Sequence, residues 1–206
     1  MNERHSAQGR QIVIVASGGA NIASLQFALR RLEVDSAVTA DADQIRAASH
    51  VILPGVGAAA DAMSRLRESR LVELIPTLRQ PVLGICLGMQ LLYEASQEGD
   101  ASCLGIIPGH AARLAVGPGR PVPHMGWNTL DIDHPSPLLA GLSGGDYAYF
   151  VHSYAIEVGT ATVASTCYGA PFSACVQWRN FYGVQFHPER SAAVGARLLG
   201  NFLAIN

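Results

Sequence analysis

The stretch from Pro81 to Gln90, PVLGICLGMQ, constrains the chain more than any other. Val82 and Leu83 form an apolar run, Gly84-Ile85-Cys86-Leu87-Gly88 follows, and Met89, Gln90, Leu91, Leu92 and Tyr93 continue with helical spacing. That order predicts a strand, a sharp turn and a helix. Glycines two residues either side of Cys86 suit a strained turn at which neighbouring elements pass close. Such a turn holds the sulfur at the start of the next helix, whose dipole and free N–H groups favour thiolate over thiol. An isolated GxCxG is better read as a buried cysteine between two packing glycines, but a second stretch weighs against that here.

This second stretch is Phe181 to Ser191, FYGVQFHPERS, about a hundred residues downstream. Alternating apolar residues predict a strand that delivers His187 and Glu189 to its end, with Pro188 between them. A cysteine nucleophile needs a base within hydrogen-bond reach, and the base needs an orienting acid. Residues two apart on an extended chain share a side, so His187 and Glu189 are expected in line with Cys86.

Together the two stretches resemble the class I (triad) glutamine amidotransferases. LPGVG at 53–57, PHMGWN at 123–128, YFVHSY at 149–154 and GVQFHPERS at 183–191 are similar to the glutaminase subunits of imidazole glycerol phosphate synthase, from about Gln11 to Leu203. The resemblance implies hydrolysis of L-glutamine, with Cys86 as nucleophile, His187 as base and Glu189 as orienting acid. The backbone N–H groups of Val56, in the Gly55-Val56-Gly57 loop, and of Leu87 would hold the oxyanion. Gln90 and Glu98 would bind the amino-acid end of the substrate, beside Ser153 and Tyr154. Asn21, Trp127, Tyr149 and Arg190 would face a cyclase partner, a (β/α)₈ barrel forming a heterodimer and using the ammonia to make imidazole glycerol phosphate and AICAR. No metal or organic cofactor is implied. Without the resemblance, Asn21 reads equally well as a turn or cap asparagine, Glu98 as a surface acid, and Trp127 and Tyr149 as core aromatics. The first turn departs from the family, which usually has an acidic residue where this chain has Ala16 and Ser17.

The expected fold is α/β, a three-layer arrangement with a central, mostly parallel sheet flanked by helices and antiparallel additions in the second half. A first strand at Gln11–Val15, a helix at Ile22–Leu32, a strand at Glu33–Thr39 and a strand at His50–Leu53 lead to helices over Ala58–Arg70 and Leu71–Leu78. From Leu104 short strand-like runs separated by Gly and Pro take over, at Asp146–Ile156, Ala161–Cys167, Ser173–Trp178 and Phe181–Phe186. An irregular loop with Pro118, Pro121 and Pro123 enters His124–Asn128, and Ala192–Leu203 closes the chain as a helix. Residues 1–10 read as a flexible tail and 11–206 as a single domain.

Composition narrows the alternatives. With 49% hydrophobic and 15% charged residues the chain is globular, and a net charge of −2 offers no footprint for nucleic acid or an anionic membrane. All 14 basic residues are arginine, which excludes a Schiff-base lysine and a Walker A phosphate loop. The four cysteines lack CxxC spacing, none of the seven histidines shows zinc-site spacing, and no apolar run is long enough to span a bilayer. A polar start without an apolar h-region points to a cytoplasmic protein with reduced thiols. His152, beside Ser153-Tyr154, suits a structural or substrate-contact role. The competing readings are a glutaminase serving anthranilate or pyridoxal phosphate synthesis, against which PHMGWN argues, a DJ-1-like cysteine hydrolase, which leaves His187-Pro188-Glu189 unexplained, and a binding subunit without activity, which the intact triad opposes.

Overall fold

The computed structural model describes residues 11–18 and 22–206; the expected tail and Asn21, expected at the partner face, lie outside the described residues. The first half alternates strand and helix: β1 (Ile12–Val15), α1 (Ile22–Arg31), β2 (Ser36–Thr39), α2 (Ala42–Ala47), β3 (His50–Gly55), α3 (Ala59–Glu68), β4 (Val82–Cys86) and α4 (Leu87–Leu91). The second half is mostly strand: β5 (Tyr93–Ser96), β6 (Ala101–Ser102), β7 (Ile107–Arg113), β8 (His124–Thr129), β9 (Asp131–Ile132), β10 (Tyr147–His152), β11 (Tyr154–Ile156), β12 (Thr162–Tyr168), β13 (Ala170–Trp178) and β14 (Phe181–Val184), closed by α5 (Ala192–Ala204).

Among the described residues the main sheet has eight strands in the order β2-β1-β3-β4-β14-β13-β12-β9. From β2 to β14 neighbours run parallel, and the last three strands are antiparallel additions. Parallel strands buried on both faces read as continuous aliphatic runs, and Ile12–Val15 and Val51–Leu53 are buried throughout. Successive side chains then serve opposite layers. Val13, Val15, Val51 and Leu53 pack with Ile45, Met63 and Leu66 of α2 and α3. Ile12, Ile14 and Ile52 pack with Leu25 and Leu29 of α1 and with Leu198 and Phe202 of α5. Helices therefore cover both faces, as expected from the sequence.

The topology brings distant segments together at one sheet edge. Strand β14, near the end of the chain, inserts parallel to β4 with Gly183 opposite Gly84 and Val184 opposite Ile85. On the other side of β4, Gly55 of β3 lies opposite Cys86. The carboxyl ends of three adjacent strands thus carry Gly55-Val56, Cys86 and the chain leading to His187, where open α/β sheets place their sites.

Four expected elements differ. Asp146–Ile156, expected as one strand, breaks at Ser153 into β10 and β11, which belong to different sheets. The helix after Cys86 ends at Leu91, and Tyr93 begins β5, whose partners β6 and β7 cover its backbone groups. Leu71–Leu78 is a turn followed by a single 3-10 turn at Ile75–Thr77, because Pro76 cannot continue an α-helix. His124–Asn128, expected at the end of an irregular loop, is a regular strand paired with β10 from His124↔His152 to Thr129↔Tyr147.

Candidate active site

Cys86 stands at the junction of β4 and α4 with φ 53° and ψ −112°, a conformation that β-carbon sterics make costly. The neighbouring glycines explain how the turn closes. A side chain at Gly88 would overlap the Leu53 carbonyl of β3, and one at Gly84 would stand 2.6 Å from the Gly88 oxygen. Gly55 is needed for the same close approach, since its Cβ would lie 2.6 Å from the Gly88 nitrogen, whereas Gly57 adopts φ +88°. The Gly55-Val56-Gly57 loop therefore has one glycine held by packing and one required by its backbone angle. Helix α4 has only five residues, so the full helix dipole expected behind the sulfur is missing; the free N–H groups of its first turn remain.

His187 and Glu189 come together, but not as alternate residues of a strand. Strand β14 ends at Val184, His187 has extended angles, and Pro188–Arg190 is a 3-10 turn that folds Glu189 back. His187 Nδ1 donates to Glu189 Oε1 at 2.9 Å, with the two side chains 10% and 3% exposed. That bond fixes the tautomer and leaves Nε2 free to serve Cys86, which lines the same cleft. Burial works against charge on His187, yet the bonds to Cys86 and Glu189, and the charges of those groups, outweigh it and hold the pKa up to about 10. The turn is anchored from three sides. His187 N–H donates to Tyr149 O at 2.9 Å, Ser191 Oγ donates to His187 O at 2.7 Å, and Tyr149 N–H donates to Ser191 Oγ at 2.9 Å. Gly195 lets α5 pack against the Pro188 carbonyl, which a side chain there would overlap.

Cys86 and His187 open into a cleft of about 220 Å³ that Val56, Gly57, Leu87, Gln90, Glu98, Ser153 and Tyr154 also line. Every residue expected to bind substrate or oxyanion is therefore at this cleft or, for Gly55, immediately behind it. Glu98 sits on the β5–β6 hairpin, accepting from Ala59 N–H at 3.1 Å; burial first, then nearby Asp61, raise its pKa, with the Ala59 bond opposing. His152 also lines the cleft. Its Nδ1 donates to Tyr154 O at 2.8 Å, so Nε2 accepts, and His124 Nδ1 donates to it at 3.0 Å. Burial pushes His152 down to about 3 and His124 down to about 4, so both are neutral. The remaining cysteines are elsewhere and free: burial raises Cys175 strongly and Cys103 to about 11, and Cys167 is exposed.

Trp127, Tyr149 and Arg190 gather on one surface. Trp127 is 52% exposed and packs edge-on to Tyr149 at 5.8 Å, while the Arg190 guanidinium lies 4.7 Å above the Tyr149 ring. Alternation along the β8–β10 ribbon adds the exposed Met125 and Tyr147, two residues that sequence reasoning missed. At the departing first turn Ser17 is buried, and its Oγ donates to Pro54 O at 2.8 Å, tying that turn to the strand before Val56. Among the described residues no His, Cys, Asp and Glu cluster could hold a metal ion, and no helix is long and apolar enough to cross a membrane.

The chain that carries this cleft on its α/β sheet matches, over residues 13–205, the family model for glutamine amidotransferase class-I. The chain belongs to the class I glutamine amidotransferase family. It is 50% identical over 196 residues to the imidazole glycerol phosphate synthase subunit HisH of Xylella fastidiosa (strain Temecula1), covering 95% of this chain and 98% of that one. It is 51% identical over 194 residues to subunit HisH 2 of Legionella pneumophila (strain Philadelphia 1), covering 94% and 98%. Among solved structures, a glutamine amidotransferase from Thermotoga maritima superposes with TM-score 0.65 at 16% identity, over 95% of this chain and 83% of that one, which speaks to the fold alone.

Proposed function

We propose that the chain is the glutamine-hydrolysing subunit of imidazole glycerol phosphate synthase, acting in histidine biosynthesis through Cys86, His187 and Glu189. The observation that carries the reading is the line from Glu189 Oε1 through His187 to Cys86 at the mouth of a cleft sized for a small amino acid. Near-full-length identity of about one half to the HisH subunits supports it.

The chemistry follows from the groups present. The Cys86 sulfur attacks the side-chain amide carbonyl, and the carbonyl oxygen becomes an oxyanion beside the Val56 and Leu87 backbone N–H groups. His187 gives its proton to the departing nitrogen, so ammonia leaves and a thioester remains. Water, deprotonated by the same imidazole, then cleaves the thioester to glutamate and returns the thiol. Glu189 keeps the ring in register through its bond to Nδ1. Glu98 faces the α-ammonium of the substrate, and Gln90, Ser153 and Tyr154 complete the wall.

Free ammonia is lost as a nucleophile once protonated, so the reading includes a partner that receives it under shelter. The partner is a (β/α)₈ barrel cyclase in a heterodimer, docked over the exposed aromatic surface of Trp127 and Tyr149 with Arg190 beside it. The test is glutamate release and product synthesis by the purified chain with its cyclase. Cys86→Ser should abolish glutamine-dependent synthesis and leave synthesis from ammonium salts intact. Full glutamine-dependent activity in Cys86→Ser would overturn the assignment.

A further inference from the structure

Besides His187, two buried glutamine amides bear on the sulfur of Cys86. Gln185 is fully buried, and its Nε2 lies 3.7 Å from Cys86 Sγ. Its orientation is set by a chain that starts at a group with no ambiguity. The Tyr154 carbonyl can only accept, so the Gln90 atom 2.8 Å from it is the amide nitrogen. The same nitrogen lies 2.9 Å from Gln185, which must therefore present its oxygen there. With Oε1 committed to Gln90, the other end of Gln185 is NH₂, and that end faces the sulfur. His152 Nδ1 donates to the same Tyr154 carbonyl at 2.8 Å, holding the anchor from a second side.

We infer that Gln185 is a further catalytic residue, donating an amide hydrogen bond to the Cys86 thiolate, and that Gln90 acts as the positioning residue which keeps that amide from turning round. The sulfur has two polar neighbours of opposite preference besides His187. As a thiol it donates to Val151 O at 3.7 Å; as a thiolate it loses that bond and accepts from Gln185. A thiol-to-carbonyl bond is weak, whereas a donor to an ionised acceptor forms a charge-assisted bond about twice as strong as a neutral one. The pair therefore shifts the balance toward thiolate. Because Gln185 is fully buried and does not line the cleft, water cannot take its place without opening the core beneath the elbow. The thiolate is also the leaving group when water cleaves the thioester, so the donor assists the second half of the reaction as well as the first.

The inference rests on Cys86 being the nucleophile, and the experiment separates the two. The full-length chain is treated with iodoacetamide between pH 5 and 10, and the rate of label at Cys86 is followed by peptide mass. Two variants are compared with the native chain: Gln185→Met, similar in shape without the donor, and Gln185→Glu, which keeps an oxygen for Gln90 to donate to. On the acid limb, where the rate follows the thiolate fraction, Gln185→Met should react about tenfold more slowly, the low end for a hydrogen bond to a charged group at this distance. At the alkaline plateau it should converge on the native rate. Gln185→Glu should be slower still on the acid limb. A native acid limb in either variant overturns the inference, as does an equal fall at every pH, which is what a packing role would produce. Retention of glutaminase activity in Cys86→Ala would instead overturn the nucleophile itself, whatever the Gln185 variants show.

Discussion

Ser191 links the catalytic turn to the exposed ribbon with one hydroxyl, and replacing it with alanine gives a measurable test of that link. The side chain is fully buried, donates to His187 O at 2.7 Å and accepts from Tyr149 N–H at 2.9 Å. The two bonds are not lost equally. His187 O still receives Arg190 N–H at 3.0 Å, so the carbonyl keeps a partner; the Tyr149 N–H loses its acceptor. One orphaned donor costs about 1–3 kcal/mol, and with one surviving bond on the carbonyl a total of about 2 kcal/mol is expected. For a chain of this size that lowers Tm by roughly 4–8 °C. His187 N–H keeps Tyr149 O at 2.9 Å, so the base is loosened and not released. Turnover should therefore fall about tenfold with little change in KM, in keeping with small misplacements of a catalytic group. Thermal melting by circular dichroism and glutamate release with cyclase present would measure both. A Tm within roughly 1 °C of native together with native turnover would refute the argument.

Other consequences are as direct. His187→Asn should stall turnover and Glu189→Gln should damage it less, since Glu189 orients and does not transfer the proton; the double variant should fall no further than His187→Asn, because the groups act as a unit, and single-turnover rates would reveal simple additivity if the triad were wrong. Gly88→Ala should prevent correct folding, because its Cβ would overlap the Leu53 carbonyl; native melting and activity in that variant would contradict the packing described. Acid should destabilise the chain through His124 and His152, which fold neutral with pKa values of about 4 and about 3. Below about 6.5 the unfolded chain takes up protons that these buried rings refuse, so stability should fall as the pH drops toward 4, by a few kcal/mol. His187 has the opposite sign: its contribution is whole below about 6.5 and is lost as pH rises through about 10. Tm measured from pH 4 to 8 should thus decline on the acid side, and His124→Asn should flatten the decline; an unchanged slope would count against the pair.

What could be read from the sequence was the chemistry written in local patterns. GICLG carries its own reason for glycine, and the structure supplies the contacts, with Gly84 and Gly88 at the points where α4 crosses β3 and β4. His187-Pro188-Glu189 was legible as a unit, yet the expected geometry was different: a 3-10 turn, favoured by Pro188, brings the acid to the imidazole where strand alternation was invoked. Helix spacing after Cys86 overran because Leu91, Leu92 and Tyr93 are equally apolar in a helix or a strand, and tertiary pairing with β6 and β7 decided for strand at Tyr93. Gln185, Ser191 and Gly195 escaped notice for another reason. Each matters through a partner far away in sequence or through backbone atoms, and no periodicity encodes such a partner. Gly195 alone left a signal, a glycine inside a helical run.

The bond from His187 N–H to Tyr149 O has a consequence for how this molecule can change over time. It joins the base to the middle of the exposed aromatic ribbon through main-chain atoms, and any residue but proline at position 187 offers the same N–H. The side chains of β8 and β10 that meet another surface can drift while the mechanical attachment between that surface and the imidazole stays. An alanine scan of the ribbon would report on adhesion and remain blind to the attachment. Replacing the peptide linkage between Tyr149 and Phe150 with an ester, which weakens the Tyr149 carbonyl as an acceptor and leaves the Tyr149 N–H to Ser191 in place, addresses it atom by atom.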